Sequence, residues 1–230
     1  MFNLFNENCL QTIKNKRFDF KKTVIVTDPP FNVGYHYNEY KDNMEENEYF
    51  NFLNDVTKKF PTVIIHYPES IYKFALKRNE APKRVISWVY NSNTKRQHRD
   101  IAFFGIEPNF EGYLQPYKNQ NDKRIIEMIN KGNLGTRMYD WFEENQIKNV
   151  FKEKNNITHP CVMPTSVMDR IIKIIPKGYF IYDPFAGSGS TLISCIKNKI
   201  DCAGSEISKK YYEEALRRIK EETCQTDLFV

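Results

Sequence analysis

Short β-branched runs alternate along this chain with stretches of helical spacing. Thr23–Thr27 (TVIVT) is an unbroken apolar run, and Asp28-Pro29-Pro30 stops it because successive prolines cannot continue a ladder. Residues 45–60 set Tyr49, Phe52, Leu53, Val56 and Phe60 on one helical face, and Pro61 breaks that helix. Thr62–His66 (TVIIH) reads as a second buried strand. Residues 69–78 read as a helix with Ile71, Phe74 and Ala75 inward, and residues 85–90 (VISWVY) as a third strand.

The texture then changes. Residues 91–100 (NSNTKRQHRD) are polar and basic with no apolar period, which predicts an exposed loop. Residues 101–110 can hold a strand. Residues 112–157 are rich in Asn, Lys and Glu and break at Gly132 and Gly135, so an irregular insertion with one or two short helices is expected. Helical spacing returns over 165–175, followed by a strand at 179–182, a Gly-rich turn at 183–189 and a helix at 190–198. A strand at 201–205 ends at Glu206, and a charged helix covers 208–222. Strands alternating with helices predict an α/β fold with a mostly parallel sheet. One domain spanning 1–230 is expected, with 91–155 inserted and 223–230 as a tail.

Composition narrows the class. The chain has 230 residues, 40% of them hydrophobic and 14% aromatic, enough to build a core. No run approaches the roughly 18 apolar residues of a membrane helix. Residues 1–10 carry Asn and Glu where a signal peptide carries cations and an apolar stretch, so a cytoplasmic protein with no membrane partner is expected. Lys and Arg number 34 against 29 Asp and Glu, a net charge of +5 that suits nucleic acid without requiring it. Five cysteines, Cys9, Cys161, Cys195, Cys202 and Cys224, include no C-x-x-C pair. That spacing speaks against a disulfide framework and a metal site.

Two motifs carry candidate chemistry. Gly187-Ser188-Gly189 follows an apolar strand and opens a helix, where glycines allow a tight turn and close approach of a ligand. Glu206 lies at the end of the next strand, roughly 20 residues on, where an acid can accept ribose hydroxyls. A P-loop reading fails because no Lys follows Gly189, and Leu192 stands where a dinucleotide fold wants a third Gly. A plain β–α turn remains the alternative. Asp28-Pro29-Pro30-Phe31 also ends a strand, where open α/β sheets place ligands. Asp28 and the Pro29 carbonyl can accept N–H bonds from an exocyclic amine, and Phe31 offers a stacking face. A Pro-rich turn capped by Asp28 is the bland alternative.

Taken together, D-P-P-F near the N-terminus and D-P-F-A-G-S-G-S-T near the C-terminus resemble the amino-methylating DNA methyltransferases in their permuted, β-group motif order. His159-Pro160, Pro164, the segment Gly204-Ser205-Glu206, and Tyr211, Ala215 and Arg218 agree with that family. Asn8 stands where the family usually has Asp. Cys161, Val162 and Met163 replace Thr-Gln-Lys, and Phe31 replaces Tyr. The resemblance implies a Rossmann-like S-adenosylmethionine-dependent fold of the restriction–modification kind. It implies Asp28, Pro29, Pro30 and Phe31 as the catalytic motif. Asp183, Phe185, Gly187, Gly189, Glu206, Asn8 and His159 are implied around the cofactor. The reaction implied is methylation of N6 of adenine in duplex DNA after base flipping. N4 of cytosine, or an inactive DNA-binding module, is the alternative. Pro160-Cys161 has the form of a C5-cytosine nucleophile, but it lies upstream of the cofactor turn and leaves D-P-P-F unexplained.

The same resemblance puts target recognition in 91–155, with Lys95, Arg96, His98 and Arg99 as DNA contacts. Gln225-Thr226-Asp227-Leu228-Phe229 resembles a sliding-clamp-binding pentapeptide, although Leu228 and Phe229 also suit packing on the chain's own core. A homodimer is a further candidate assembly.

Overall fold

The computed structural model describes all residues except 16–17, 36, 38, 93, 150–155 and 225–230. The clamp-like pentapeptide therefore lies outside the described residues. The chain runs β1 (Phe2–Phe5), α1 (Cys9–Asn15), β2 (Thr23–Thr27), α2 (Glu46–Thr57), β3 (Thr62–His66), α3 (Pro68–Arg78), β4 (Arg84–Val89) and β5 (His98–Phe104). It continues with β6 (Leu114–Gln115), α4 (Lys123–Asn130), β7 (Thr136–Arg137), β8 (Trp141–Glu143), α5 (Thr165–Ile174), β9 (Phe180–Asp183), α6 (Ser190–Lys197), β10 (Cys202–Ser205) and α7 (Lys209–Cys224).

Eight strands form one sheet in the order β1-β10-β9-β2-β3-β5-β4-β8. Among the described strands of this sheet, only β5 runs against its neighbours. The expected mostly parallel sheet is thus present, and alternation along the strands fills both of its faces. Val24, Val26, Val63, Ile65, Ile101 and Phe103 pack with α5 and α6 on one side. Ile64, Ala102 and Phe104 pack with Tyr49, Leu53 and Phe74 of α2 and α3 on the other. Strands buried on two faces read as continuous apolar runs, which is how TVIVT and TVIIH look.

Strand order reverses between β9 and β2. Their neighbours β10 and β3 lead away in opposite directions, so the carboxyl ends of β9 and β2 flank a switch-point crevice.

The residues after β1 form a helix, α1. Two sequence expectations need correction. His98, Arg99 and Asp100 are not loop: they open β5, and Asp100 is buried. The stretch 91–155 is not wholly an insertion either, since β8 extends the main sheet beside β4 while β6, α4 and β7 stand outside it. A three-residue strand is too short for periodicity to reveal. Among the described residues no helix is long and apolar enough to cross a membrane. Cys9, Cys161, Cys195 and Cys202 are free thiols.

Candidate active site

β2 delivers Asp28 to the crevice. The two prolines that end the strand leave Pro30 with an outward carbonyl, and Tyr49 from α2 donates its hydroxyl proton to it at 2.6 Å. His66, at the end of β3, lies 2.8 Å from the same hydroxyl through Nε2. Its Nδ1 accepts the Tyr67 N–H. Tyr49 spends its proton on Pro30, so Nε2 carries the imidazole hydrogen and the ring is neutral. Burial, with Arg99 and Arg96 nearby, pushes His66 down to about 3. The ring then stacks on Phe31 at 4.4 Å and 29°.

The loop after Phe31 is folded on Asp42. One Asp42 oxygen accepts the Asn32 N–H, and the other accepts those of Val33 and Tyr35. Asn32, at φ +57°, clamps Met44 through both ends of its amide. This holds Tyr35 and Tyr40 against the cavity wall.

β9 ends on Asp183, whose oxygens are already engaged. Oδ1 accepts from Thr27 Oγ1 at 2.8 Å and from the Phe185 N–H, and Oδ2 accepts from Thr191 Oγ1 at 2.5 Å. Asp183 therefore ties the end of β2 to the Gly-rich turn. Gly187 follows at φ +51°, and a Cβ there would stand 2.9 Å from His159 Nε2. Its N–H donates to Glu206 Oε2 at 2.9 Å, while the Ser208 N–H donates to Oε1 at 2.8 Å. Glu206 is thus held by backbone, with a second lone pair left on each oxygen. His159 packs edge-on against Tyr211 at 4.7 Å. Asn8 accepts the Leu10 N–H through its side chain and caps α1.

Part of this assembly lines one cleft of roughly 1160 Å³, counted with the open solvent in its mouth, while Asp183, Asp42, Tyr49 and His66 stand behind its lining. Asp28, Pro29, Pro30, Phe31, Asn8, His159, Phe185, Gly187 and Glu206 all border it. Gly189 does not. Its φ of +82° starts α6, and a Cβ would meet Ala215 of α7 at 3.2 Å, so this glycine serves helix packing rather than ligand approach. Lys95, Arg96 and His98 are exposed and lie outside the cleft. Arg96 pairs with Glu69 and covers Tyr67. Arg99 borders the cleft and has only 12% of its side chain exposed. Its guanidinium lies over Phe31 at 4.6 Å, so the Phe31 face expected for a base is shared by His66 and Arg99.

Electrostatics at the crevice run against ionisation. Burial pushes Asp28 up to about 6; Arg99 opposes the rise and Asp183 adds to it. Burial likewise lifts Asp183 to about 6, against the hydrogen bonds from Thr191, Phe185 and Thr27. Glu206 rises to about 7, against its two backbone N–H donors. Asp28 Oδ1 is buried and has no hydrogen-bond partner among the described residues. Among the described residues no group of three or more His, Cys, Asp and Glu could hold a metal.

A family model described as DNA methylase, of the N6/N4 type, matches residues 23–217. The chain belongs to this DNA methylase family. The type II methyltransferase M.HpaI of Haemophilus parainfluenzae is 25% identical to this methylase over 243 residues, covering 95% of the chain and 74% of that protein. In three dimensions the methylase is similar to M1.HpyAVI in its complex with S-adenosylmethionine. The TM-score there is 0.59 at 18% identity, over 95% of this chain and all of that one. The cytosine-N4-specific PvuII DNA methyltransferase superposes at TM-score 0.69 with 11% identity, over 96% and 90% of the two chains. At such identities the likeness is one of fold.

Sequence reasoning missed Asp42, Tyr49 and His66. Tyr49 was legible only as an inward helical position, and His66 only as the last residue of a buried strand.

Proposed function

We propose that this methylase transfers the methyl group of S-adenosylmethionine to N6 of adenine in duplex DNA, within a restriction–modification setting. The observation that carries the reading is Asp28 Oδ1, a buried acceptor without a partner among the described residues, in the cleft that Gly187 and Glu206 also line. A buried polar atom left unpaired costs about 1–3 kcal/mol and marks a place for a ligand donor.

S-adenosylmethionine is the cofactor of this family, and the cleft suits it. Glu206 has lone pairs to accept ribose hydroxyls, Gly187 leaves its Cβ space to His159, and Phe185 and Ile207 supply apolar wall. When bound, the cofactor supplies an electrophilic sulfonium methyl. The chain's residues then orient the nucleophile. Asp28 accepts one amino N–H and the Pro29 carbonyl the other. This draws the lone pair of the exocyclic nitrogen out of the ring and toward the methyl. Tyr49 and His66 hold Pro30 and Phe31 in register for that contact. Positioning of this kind supplies several kcal/mol. A base cannot reach the crevice from within a duplex, so it flips out.

Asp at the head of D-P-P-F supports adenine, because the N4-cytosine relatives more often begin this motif with Ser. Digestion and mass spectrometry of unmethylated DNA, after incubation with the protein and S-adenosylmethionine, tests the reading. N6-methyladenine is the expected product. N4-methylcytosine would overturn the base assignment, and unmodified DNA would overturn the reaction.

A further inference from the structure

Arg99 stands out among the charged groups of the cleft. Strand β5 is the reversed strand, so its first residues, not its last, reach the edge where the other strands end. The register that pairs His66 with Asp100 brings Arg99 beside the D-P-P-F turn. Three aromatic rings enclose its guanidinium carbon: Phe31 at 4.6 Å, Trp88 at 5.3 Å and Tyr90 at 5.9 Å. One nitrogen, Nη1, sits 3.7 Å from Asp28 Oδ2, an ion pair but too long for a hydrogen bond. The Nε–H is buried and has no partner among the described residues.

The crevice therefore holds an orphaned acceptor, Asp28 Oδ1, and an orphaned charged donor, Arg99 Nε, on two side chains that face one another. Folding tolerates such a pair only at a cost, since each buried unpaired group loses its water. A ligand that offers a donor beside an acceptor relieves both. Adenine and cytosine, the two bases of this family's reaction, share one such edge. Each places an amino group next to a ring nitrogen on its Watson–Crick side, N1 in adenine and N3 in cytosine.

We propose that Arg99 is a specificity-determining residue, which donates a hydrogen bond to the Watson–Crick ring nitrogen of the flipped base while Asp28 accepts from the amino group beside it. The inference rests on the methyl-transfer reading above and deepens it. It makes Arg99 part of the base pocket rather than a DNA contact in an exposed loop. It also explains why a cation is buried between rings: the aromatic faces hold the charge while its Nε–H stays unpartnered among the described residues.

The test is a cycle of one protein change and one base change. The target site is first located by sequencing DNA methylated by the wild-type protein. Single-turnover transfer is then measured on duplexes with the natural target base and with its analogue lacking that ring nitrogen, 1-deazaadenine or 3-deazacytosine. Wild-type protein should lose roughly 10- to 150-fold on the analogue, the range for a hydrogen bond to a charged group. Arg99→Met should lose a similar factor on the natural base, and then show little further loss on the analogue. Arg99→Lys should recover part of the rate. Binding of S-adenosylmethionine, followed by calorimetry, should stay within about threefold in both variants and so report an intact fold. An analogue penalty as large in Arg99→Met as in wild type overturns the proposal, as does wild-type transfer by Arg99→Met. If wild-type protein transfers no methyl to DNA, the methyl-transfer reading fails first and this one with it.

Discussion

Replacing Asp28 by Asn should stabilise the methylase at alkaline pH and end methyl transfer. The folded carboxyl titrates near 6 rather than 3.8, because burial outweighs the pull of Arg99. The folded state thus binds the proton more tightly than the unfolded chain does. Stability from this group is complete below pH 3.8 and is lost as pH rises through 6. About two units at about 1.4 kcal/mol each amount to about 3 kcal/mol by pH 8. Asn matches the protonated carboxyl in shape and is neutral at every pH, so D28N escapes that loss. The gap between variant and wild type should be about 3 kcal/mol at pH 8 and shrink to about 1 kcal/mol at pH 4.5. For a chain of this length that corresponds to roughly 6–12 °C in Tm at pH 8. Thermal unfolding of both proteins at the two pH values, without cofactor, measures it. A D28N protein whose margin over wild type does not grow between pH 4.5 and pH 8 would refute the burial argument. Glu206, with its folded carboxyl near 7, makes the wild-type slope steeper but cancels from the difference; Asp183, which interacts with Asp28, stays partly within it.

Three further outcomes follow from the geometry of the cleft. Glu206→Ala removes the backbone-held acceptor and should weaken S-adenosylmethionine binding roughly 10- to 100-fold by calorimetry; unchanged affinity would count against a ribose contact. Gly187→Ala forces a Cβ into a left-handed position 2.9 Å from His159, so it should cost about 1–2 kcal/mol in denaturant unfolding as well as cofactor affinity. Tyr49→Phe releases the Pro30 carbonyl and leaves His66 Nε2 without its partner, so kcat should fall roughly tenfold while cofactor affinity holds; equal losses in both would assign Tyr49 to folding alone.

Much of the fold was legible because its strands are buried on two faces and stand out as β-branched runs. TVIVT and TVIIH fall on the residues they predicted, and the alternation with helices implied the parallel sheet. Both motifs were legible as strand ends for the same reason. What stayed hidden depends on contacts that span the chain. Arg99 sat in a polar, basic run, and polarity argued for a loop. Its burial comes from the reversed direction of β5 and from rings in the turn after β2 and on β4, neither of which local pattern encodes. Gly189 misled in the opposite way. A G-x-G pattern suggested ligand approach at both glycines, yet the second is required by Ala215, which lies on a helix far along the chain.

The two motifs come from opposite ends of the sequence, and a hydrogen bond joins them. Thr27, the residue before Asp28, donates to Asp183, the residue that opens the Gly-rich turn, and Thr191 donates to its other oxygen. A shift of β2 against β9 would break that link, so the Asp28 carboxylate and the Gly-rich turn move as one body. The link has an electrostatic consequence. It holds two carboxylates close enough for Asp183 to raise the titration of Asp28; Arg99 outweighs that contribution, and burial outweighs Arg99. The unfavourable charge thus comes mainly from the burial that the fixed geometry requires. In-line transfer needs the amine and the methyl held within a narrow range of distance. The methylase reaches that by building its site where unbound carboxylates are least comfortable.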